Sequence, residues 1–415
     1  MDIKERIERL KREITEHQKR DRSRTVEKLR ILLREETCSK KRIKNIDELA
    51  EHLEAKVFEN KFGKFIVRDE LKNSEFYGEE VDKLHILAKE EIFKNFDLSR
   101  NIFVDIETSG LSGGVGTFAF LIGVGYLEKN VFKIKQFFLP DLPYEKALLF
   151  DLSSLLKGFD SVTTFNGKSF DLPLLTSRYR LQMLKEPLFD LHLDLLHIAR
   201  RVYKRSFEDR SLQSLEQNIL GEQRRGDIAG NLIPDVYFNF LRTGEVSLLG
   251  KVIKHNEMDI FSMLKLLSHF VELLKKIEEI KNPEVLYSIS RLHREFKDYN
   301  TSILLMKRAL RYTDNIPLIF EIKRDLSIIY KRQSMWEEAE KLWIELLQET
   351  PFEPFPYIEL AKFYEHRLQD SNKARGIINI LKEKLGAGWQ HCTYDDLVKR
   401  EMRLNRKMEP NEDYT

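Results

Sequence analysis

The pattern of hydrophobic and polar positions divides the chain into three regions. Residues 1–58 are dominated by charged residues, Leu and Ile, and they contain no Gly or Pro, which predicts a charged helical N-terminal extension. Residues 59–281 combine short β-type runs with apolar residues at helical spacing, which predicts an α/β domain. Residues 282–415 show helical spacing with almost no strand pattern, which predicts an all-α domain.

Strands and helices are predicted to alternate in the middle region. Runs of β-branched and aromatic residues predict strands at 101–107, 117–127, 131–139 and 161–167. A helix separates the third strand from the fourth, and another begins near Phe170. From residue 190 to 280 the pattern is mainly helical. This order predicts a mixed sheet flanked by helices.

The C-terminal region carries a 34-residue period. Leu326, Ser327 and Tyr330 recur as Leu360, Ala361 and Tyr364. The middle copy, residues 323–351, resembles the tetratricopeptide repeat, in which small residues let two helices approach and aromatic residues fill the space between them. The resemblance implies three helical repeats that bind a protein partner, and an unrelated helical bundle is the alternative.

Charge and cysteine content describe the environment more than the function. The 70 Lys and Arg residues nearly balance 68 Asp and Glu residues, so the net charge of +2 identifies no partner. Within residues 1–45, 16 basic residues oppose 9 acidic ones, which fits either a phosphate backbone or a solvated helix. Two distant cysteines argue against disulfides and thiolate zinc. Without a signal peptide or an apolar run of about 18 residues, we expect a cytoplasmic protein that does not span a membrane.

Acidic residues occur at three places where α/β domains present functional groups. Asp105 and Glu107 alternate with apolar residues in a predicted strand, so both lie on one face, where two like charges need a compensating cation unless both reach water. The segment NGKSFD, 166–171, lies where a strand passes into a helix. His255 and Asp259 are four residues apart in a helical stretch and share a face. These places are candidates for one site.

In order and spacing the three motifs resemble those of the DEDD superfamily of 3′-to-5′ exonucleases, which have a ribonuclease H-like fold. The family motifs D-x-E, N-x-x-x-[FY]-D and a Tyr or His before a final Asp are matched by Asp105 and Glu107, by Asn166, Phe170 and Asp171, and by His255 and Asp259. With the repeats added, the chain resembles the bacterial YprB-type proteins. The resemblance implies a ribonuclease H-like domain at 59–281 and tetratricopeptide-like repeats at 282–415.

The same resemblance implies a metal site. Its ligands would be Asp105, Glu107, Asp171 and Asp259. Two divalent cations, Mg²⁺ or Mn²⁺, are the expected cofactors, since hard cations prefer oxygen ligands and a pair of them can activate water and orient a phosphate. Asn166 and Phe170 would position the substrate. His255 would be catalytic, as a base or by orienting water; it has the spacing that a tyrosine usually has in the family, so its role stays open.

Other charged residues have two interpretations. Arg200 and Arg201 open a basic run that would contact nucleic acid or form a solvated face, and the run continues with Lys204, Arg205, Arg224 and Arg225. Asp194 lies near a predicted helix start, where a helix cap is favoured over a metal ligand.

The sequence therefore predicts a divalent-metal-dependent nuclease. A 3′-to-5′ exonuclease acting on single strands or 3′ ends of DNA or RNA is favoured, with a protein partner bound by the repeats and no membrane contact. One alternative is a non-catalytic scaffold that binds nucleic acid, which the presence of all four family acids disfavours. Another is a structure-selective endonuclease with the same metal site.

Overall fold

The structure is a computed structural model that describes residues 42–73, 81, 83–110, 116–129, 131–349, 352–385 and 398–405. The chain divides into two compact units between Glu278 and Glu279. Most of the predicted N-terminal extension, residues 1–41, lies outside the described residues.

The first unit contains a mixed sheet. Its strands are β1 (Lys56–Asn60), β2 (Gly63–Asn73), β3 (Asn101–Thr108), β4 (Ala119–Glu128), β5 (Val131–Phe138), β6 (Ser161–Thr164) and β7 (Leu191–Asp194). In the described part of the chain these seven strands form one sheet, in the order β1-β2-β5-β4-β3-β6-β7. β6 runs parallel to β3 and β7, and the other neighbours are antiparallel.

The first unit also contains α-helices, several of which pack on this sheet. They are α1 (Ile46–His52), α2 (Leu84–Ala88), α3 (Glu145–Leu156), α4 (Asp171–Leu181), α5 (Leu195–Tyr203), α6 (Leu212–Leu215), α7 (Ile233–Thr243) and α8 (Leu249–Lys275). The predicted α/β domain with a mixed sheet flanked by helices is confirmed.

One local prediction is incomplete and one is wrong. The mainly helical stretch from residue 190 misses β7, because four residues that pair with β6 and then pass directly into α5 show no separate strand pattern. The predicted N-terminal helical extension ends too late, because β1 begins at Lys56 and pairs with β2. Leu49 and Leu53, from the same segment, belong to the core of the first unit.

The core holds α8 close against β3 and β4. β4 is buried from Ala119 to Gly125 on both faces, as expected for a central strand covered by helices. A Cβ built on Gly125 would lie 2.5 Å from Ile260 Cγ2 and 2.4 Å from Phe132 Cζ, so only glycine permits this approach of α8. The helix is thereby placed beside the acids of β3.

The second unit is helical. Its helices are α9 (Pro283–Glu295), α10 (Tyr299–Arg311), α11 (Ile316–Arg332), α12 (Trp336–Glu349), α13 (Pro354–His366) and α14 (Ser371–Leu385). They pack as the pairs α9 with α10, α11 with α12 and α13 with α14. Trp343 is buried and donates from Nε1 to Ser327 Oγ at 3.0 Å, which joins α11 to α12. The tetratricopeptide-like nature of these pairs stays a prediction.

A helix that crosses a lipid bilayer must be long and predominantly apolar. None of the helices in the described ranges combines the length and the apolar character that crossing a bilayer requires.

Candidate active site

Four acids from three elements lie near the carboxyl end of β3, close enough for their charges to interact. Asp105 and Glu107 lie on one face of β3, and the residue between them, Ile106, is buried on the other. Asp171 is the first residue of α4, and Asp259 lies in the middle of α8. We call these four residues the acid site.

The proximity of these acids changes their pKa values. The pKa of Glu107 is raised well above its ordinary value by burial first, and then by the negative charges of Asp105, Asp259 and Asp171. Burial and the charge of Asp259 raise the pKa of Asp105 to about 7. Burial and neighbouring acids also raise the pKa of Asp171, and burial raises that of Asp259. The sequence expectation of repelling acids on one face thus extends to a cluster of four.

Asp105 is oriented by α8 rather than by its own strand. Asn256 donates from Nδ2 to Asp105 Oδ2 at 2.8 Å. Asn256 Oδ1 accepts from Gln136 Nε2 at 2.9 Å, and that amide also donates to the carbonyl of Ile253. The chain of amides fixes the direction in which Asn256 donates. Asp105 is therefore held with one carboxylate oxygen already hydrogen-bonded.

Space for Asn256 is provided by Gly123, which is opposite Asp105 in the register of β3 and β4. A Cβ built on Gly123 would lie 2.1 Å from Asn256 Oδ1. A side chain at this position is incompatible with the observed place of Asn256.

A buried guanidinium contacts one of the four acids. Arg224 Nη2 lies 2.5 Å from Asp259 Oδ1, and its side chain is 5% exposed. Arg224 also makes two hydrogen bonds to Glu216, one of them 2.6 Å long, and donates to Asp227 Oδ2 at 3.2 Å. The sequence left open whether Arg224 contacts nucleic acid or belongs to a solvated face; in the structure it does neither and is buried among acids.

His255 lies between the acid site and Asp227. His255 Nδ1 is 2.8 Å from Asp227 Oδ1, whereas His255 Nε2 is 3.6 Å from Asp259 Oδ2 and 4.0 Å from Glu107 Oε1. Burial would lower the pKa of His255, but the hydrogen bond to Asp227 and the charge of Asp259 raise it above its ordinary value. Sequence reasoning missed Asp227 and Glu216, since both lie outside the three motifs.

The second motif forms a tight turn before α4. Asn166 adopts a left-handed conformation with φ of 66°, and its backbone N–H donates to Asp194 Oδ1 at 2.9 Å. Asp194 Oδ2 accepts from the backbone of Lys168, and its Oδ1 caps α5 through Leu196 N. Asp194 is thus a helix cap that also supports the turn. Phe170 directly precedes Asp171 and is 57% exposed.

Two predicted substrate contacts differ in their surroundings. Arg200 is exposed on α5. Arg201 donates from Nη1 to the backbone carbonyls of Leu87 at 2.8 Å and Ala88 at 2.6 Å. Arg201 therefore joins α5 to the end of α2, a structural contact that a charge pattern alone does not indicate.

The acid site has the donor chemistry of a divalent-cation site. All four side chains supply oxygen, which hard cations prefer, and four carboxylates exceed the single contacting guanidinium in charge. Within the part of the chain that the structure describes, no three His, Cys, Asp or Glu side chains are grouped so that they could hold a metal ion. Arg224 and Asn256 engage Asp259 and Asp105 in this arrangement. The residue types fit the cation, and metal binding is a proposal.

Comparisons with known proteins agree with the fold of the first unit. Residues 102–271 match the family described as RNase_H superfamily, which generally comprises nucleases. The uncharacterized protein YprB of Bacillus subtilis (strain 168) is 34% identical over 294 residues, which is 68% of this chain and 68% of that protein.

A solved structure gives a weaker likeness. The family B DNA polymerase from the archaeon Pyrobaculum calidifontis is 13% identical, with a TM-score of 0.34. The match covers 56% of this chain and 29% of the polymerase, and a TM-score this low does not establish a shared fold. The identity over two thirds of both chains is what decides: the protein belongs to the YprB family, and it contains an RNase H superfamily domain.

Proposed function

We propose that the first unit is a divalent-metal-dependent nuclease that hydrolyses phosphodiester bonds, with 3′-to-5′ exonuclease activity on DNA or RNA. The observation that carries the proposal is the acid site, where carboxylates from β3, α4 and α8 lie together and where burial, followed by the charges of neighbouring acids, raises the pKa of Asp105, Glu107 and Asp171. Such a cluster is costly unless a cation compensates it. The RNase H superfamily domain supports chemistry on nucleic acid.

In this proposal each residue of the site has a distinct role. Asp105, Glu107, Asp171 and Asp259 would hold two divalent cations, Mg²⁺ or Mn²⁺, which when bound would supply Lewis-acid activation of water and of the scissile phosphate. His255 presents Nε2 to the acids and would take a proton from the attacking water or orient that water. Asn256 would keep Asp105 oriented through its hydrogen bond.

Substrate would be positioned by the turn that carries Asp171. Phe170 is an exposed aromatic ring next to a site acid, so we propose that it stacks on a terminal base. Asn166 would shape the turn, and the exposed Arg200 is a candidate phosphate contact. For the helical unit we propose a protein partner, based on its paired helices.

The test compares end-labelled single- and double-stranded RNA and DNA in the presence of Mg²⁺ or Mn²⁺. A ladder of products that shortens from the 3′ end supports the exonuclease. Discrete internal cuts would instead indicate an endonuclease that uses the same site. Binding without cleavage under every condition would favour the non-catalytic scaffold.

The control substitutes an acid outside the site. Asp160 pairs with Arg100 at the surface, and its side chain is 48% exposed. Asp160→Asn should therefore cleave at the wild-type rate. A comparable loss in Asp160→Asn and in acid-site variants would show that the loss has no connection with the site.

A further inference from the structure

Asp227 lies outside the motifs that predict the acid site, and it contacts His255 directly. Its two carboxylate oxygens are 2.8 and 3.0 Å from His255 Nδ1. Burial alone would raise the pKa of Asp227, but the hydrogen bonds with His255 and Arg224 lower it. An ionised carboxylate only accepts hydrogen bonds, so Nδ1 carries a proton and donates it, and in the neutral ring Nε2 is then the nitrogen without a proton.

This contact determines which ring atom faces the acids. With Nδ1 turned to Asp227, Nε2 lies 3.6 Å from Asp259 Oδ2 and 4.0 Å from Glu107 Oε1. A ring rotated by a half-turn would present a carbon to Asp227 in place of Nδ1. The other neutral tautomer would place N–H, which is not a proton acceptor, toward the acid site.

Asp227 is itself held by buried groups. Its Oδ1 accepts from the backbone N–H of Ile228 at 2.8 Å, and its Oδ2 accepts from Arg224 Nη1 at 3.2 Å. Arg224 is held by Glu216, whose side chain is 2% exposed. Charge-assisted hydrogen bonds among groups shielded from water fix geometry strongly. The order of contacts is Glu216, Arg224, Asp227 and then His255.

We propose that Asp227 is a positioning residue that holds the His255 ring with Nδ1 protonated and Nε2 turned toward the acid site. The inference rests on the proposed nuclease function, since it gives that function a further required residue. Asp227 reaches the acid site through His255 on one side and through Arg224, which also contacts Asp259, on the other. We assign its effect on cleavage to the His255 contact, and the double-mutant cycle below tests that assignment.

The first experiment observes the ring without substrate or metal. Full-length, metal-free protein labelled with ¹⁵N in histidine is examined by NMR, and the His255→Ala variant identifies the His255 signals. At a pH above the raised pKa of His255, where the ring is neutral, we expect the single ring proton of the wild type on Nδ1. In Asp227→Ala, and in Asp227→Asn, which preserves the volume, we expect protonation to shift toward Nε2. Retention of the wild-type ring signals in both variants would overturn the proposal.

The chain offers a matched control. Asp298 Oδ2 lies 2.9 Å from Nδ1 of His293 in the helical unit, which is the same type of pair. Asp298 also caps α10 through Thr301 N, and Asn caps helices equally well. Asp298→Asn should change the signals of His293 and leave those of His255 and the cleavage rate unchanged. A loss of cleavage in this control would show that the assay does not isolate the His255 pair.

The second experiment is a double-mutant cycle in cleavage. Asp227→Ala should lower kcat roughly 10²-fold with KM within a few-fold of wild type, because a misplaced base affects the transition state more than substrate binding. The variant with both Asp227→Ala and His255→Ala should be no slower than His255→Ala alone. Losses that multiply would mean that Asp227 acts independently of His255.

The two experiments separate this proposal from the proposed function. A wild-type protein that cleaves no nucleic acid would refute the nuclease, while the NMR measurement would still decide how Asp227 holds His255. A nuclease with unchanged ring signals and multiplying losses would keep the proposed function and refute the positioning role.

Discussion

Buried acids of the helical unit are neutralised differently from the acids of the acid site. In the described part of the helical unit, each buried acid is paired with basic side chains: Asp325 with Arg294, Glu359 with Lys331 and Lys362, and Glu365 with Arg400 and Arg403. In the acid site, Arg224 contacts Asp259, while Asp105 is bonded to a neutral amide and repels its neighbours.

The difference separates the structural acids from the acids that we propose to be functional. Burial would raise the pKa of Glu359, but the two lysines lower it below its ordinary value. The acids of the acid site have raised pKa values, because burial and mutual repulsion outweigh the nearby positive charge. A cluster in which charge is left uncompensated is a place where a cation from solution would bind favourably.

The largest expected effect comes from removing the acids of β3. Asp105→Ala combined with Glu107→Ala should lower cleavage by roughly 10³-fold or more, since two proposed metal ligands are lost. The stability of the metal-free protein should stay unchanged or rise, because repelling charges are removed. Single-turnover cleavage and thermal unfolding measure the two effects. A folded variant that cleaves at the wild-type rate would remove the acid site from the mechanism.

Replacing His255 should have the next largest effect. His255→Ala should lower the cleavage rate by roughly 10² to 10⁴, with little change in affinity for Mn²⁺, if Nε2 takes a proton from water. His255→Tyr should restore much of the rate if the ring only orients water. Cleavage against pH for the wild type and both variants distinguishes the roles. An alanine variant within a few-fold of wild type would assign His255 to packing.

Replacing Arg224 tests the difference between the two groups of acids by its effect on stability. Arg224→Met should lower the free energy of unfolding of the metal-free protein by about 3 kcal/mol, because it leaves Glu216 and Asp259 without their buried partner. Mg²⁺ or Mn²⁺ should then raise the melting temperature more than in the wild type.

A second arginine provides the control. Arg178 pairs with Glu145, whose side chain is 3% exposed, at a position between α3 and α4. Arg178→Met should also destabilise the protein, but cations should restore none of the loss. Equal responses of the two variants to Mn²⁺ would contradict the distinction between structural and functional acids.

The contributions of Asp105 and Glu359 to stability should depend on pH with opposite sign. In the folded state Asp105 keeps its proton up to about pH 7, whereas the unfolded chain loses it near the ordinary value of 3.8. Its contribution to stability is therefore complete below the unfolded pKa and is lost as the pH rises through the folded one. The melting temperature of chelator-treated protein should fall by roughly a few degrees between about pH 5 and pH 8, and less so in Asp105→Asn.

The contribution of Glu359 to stability should show the reverse dependence on pH. Its pKa is lowered in the folded state, so its contribution is present above the unfolded pKa and is lost as the pH falls through the folded one. Glu359→Gln should lower the melting temperature at neutral pH and leave a weaker dependence in the acidic range. A rise in wild-type stability on acidification below about pH 4 that Glu359→Gln abolishes would contradict this sign.

The smallest effect on cleavage is expected from removing the helical unit. A chain that ends at residue 281 should fold and cleave short substrates within a few-fold of the full chain, since the acid site is built from the first unit. It should lose a partner in pull-down experiments. Insolubility of this shortened chain under every condition would show that the domain boundary at residue 281 is wrong.

Much of the fold and the acids of the site could be predicted from local pattern. β3, β4 and β5 are long enough to show β-type runs, and three spaced motifs marked the acids. β7 was missed because it passes directly into α5 and shows no separate strand pattern. The partners of Arg224 and Arg201 depend on tertiary contacts with Glu216 and with the carbonyls of Leu87 and Ala88, which no local pattern contains.

The contact between Gly123 and Asn256 constrains the order in which this sequence can change. A larger residue at 123 would occupy the place of Asn256 Oδ1, so the amide would have to move and Asp105 would lose its hydrogen bond. Shortening residue 256 first loses the same bond but creates no collision. A pair of substitutions that enlarges residue 123 and shortens residue 256 must therefore begin with residue 256 on α8. Residue 123 on β4 can be enlarged only afterwards.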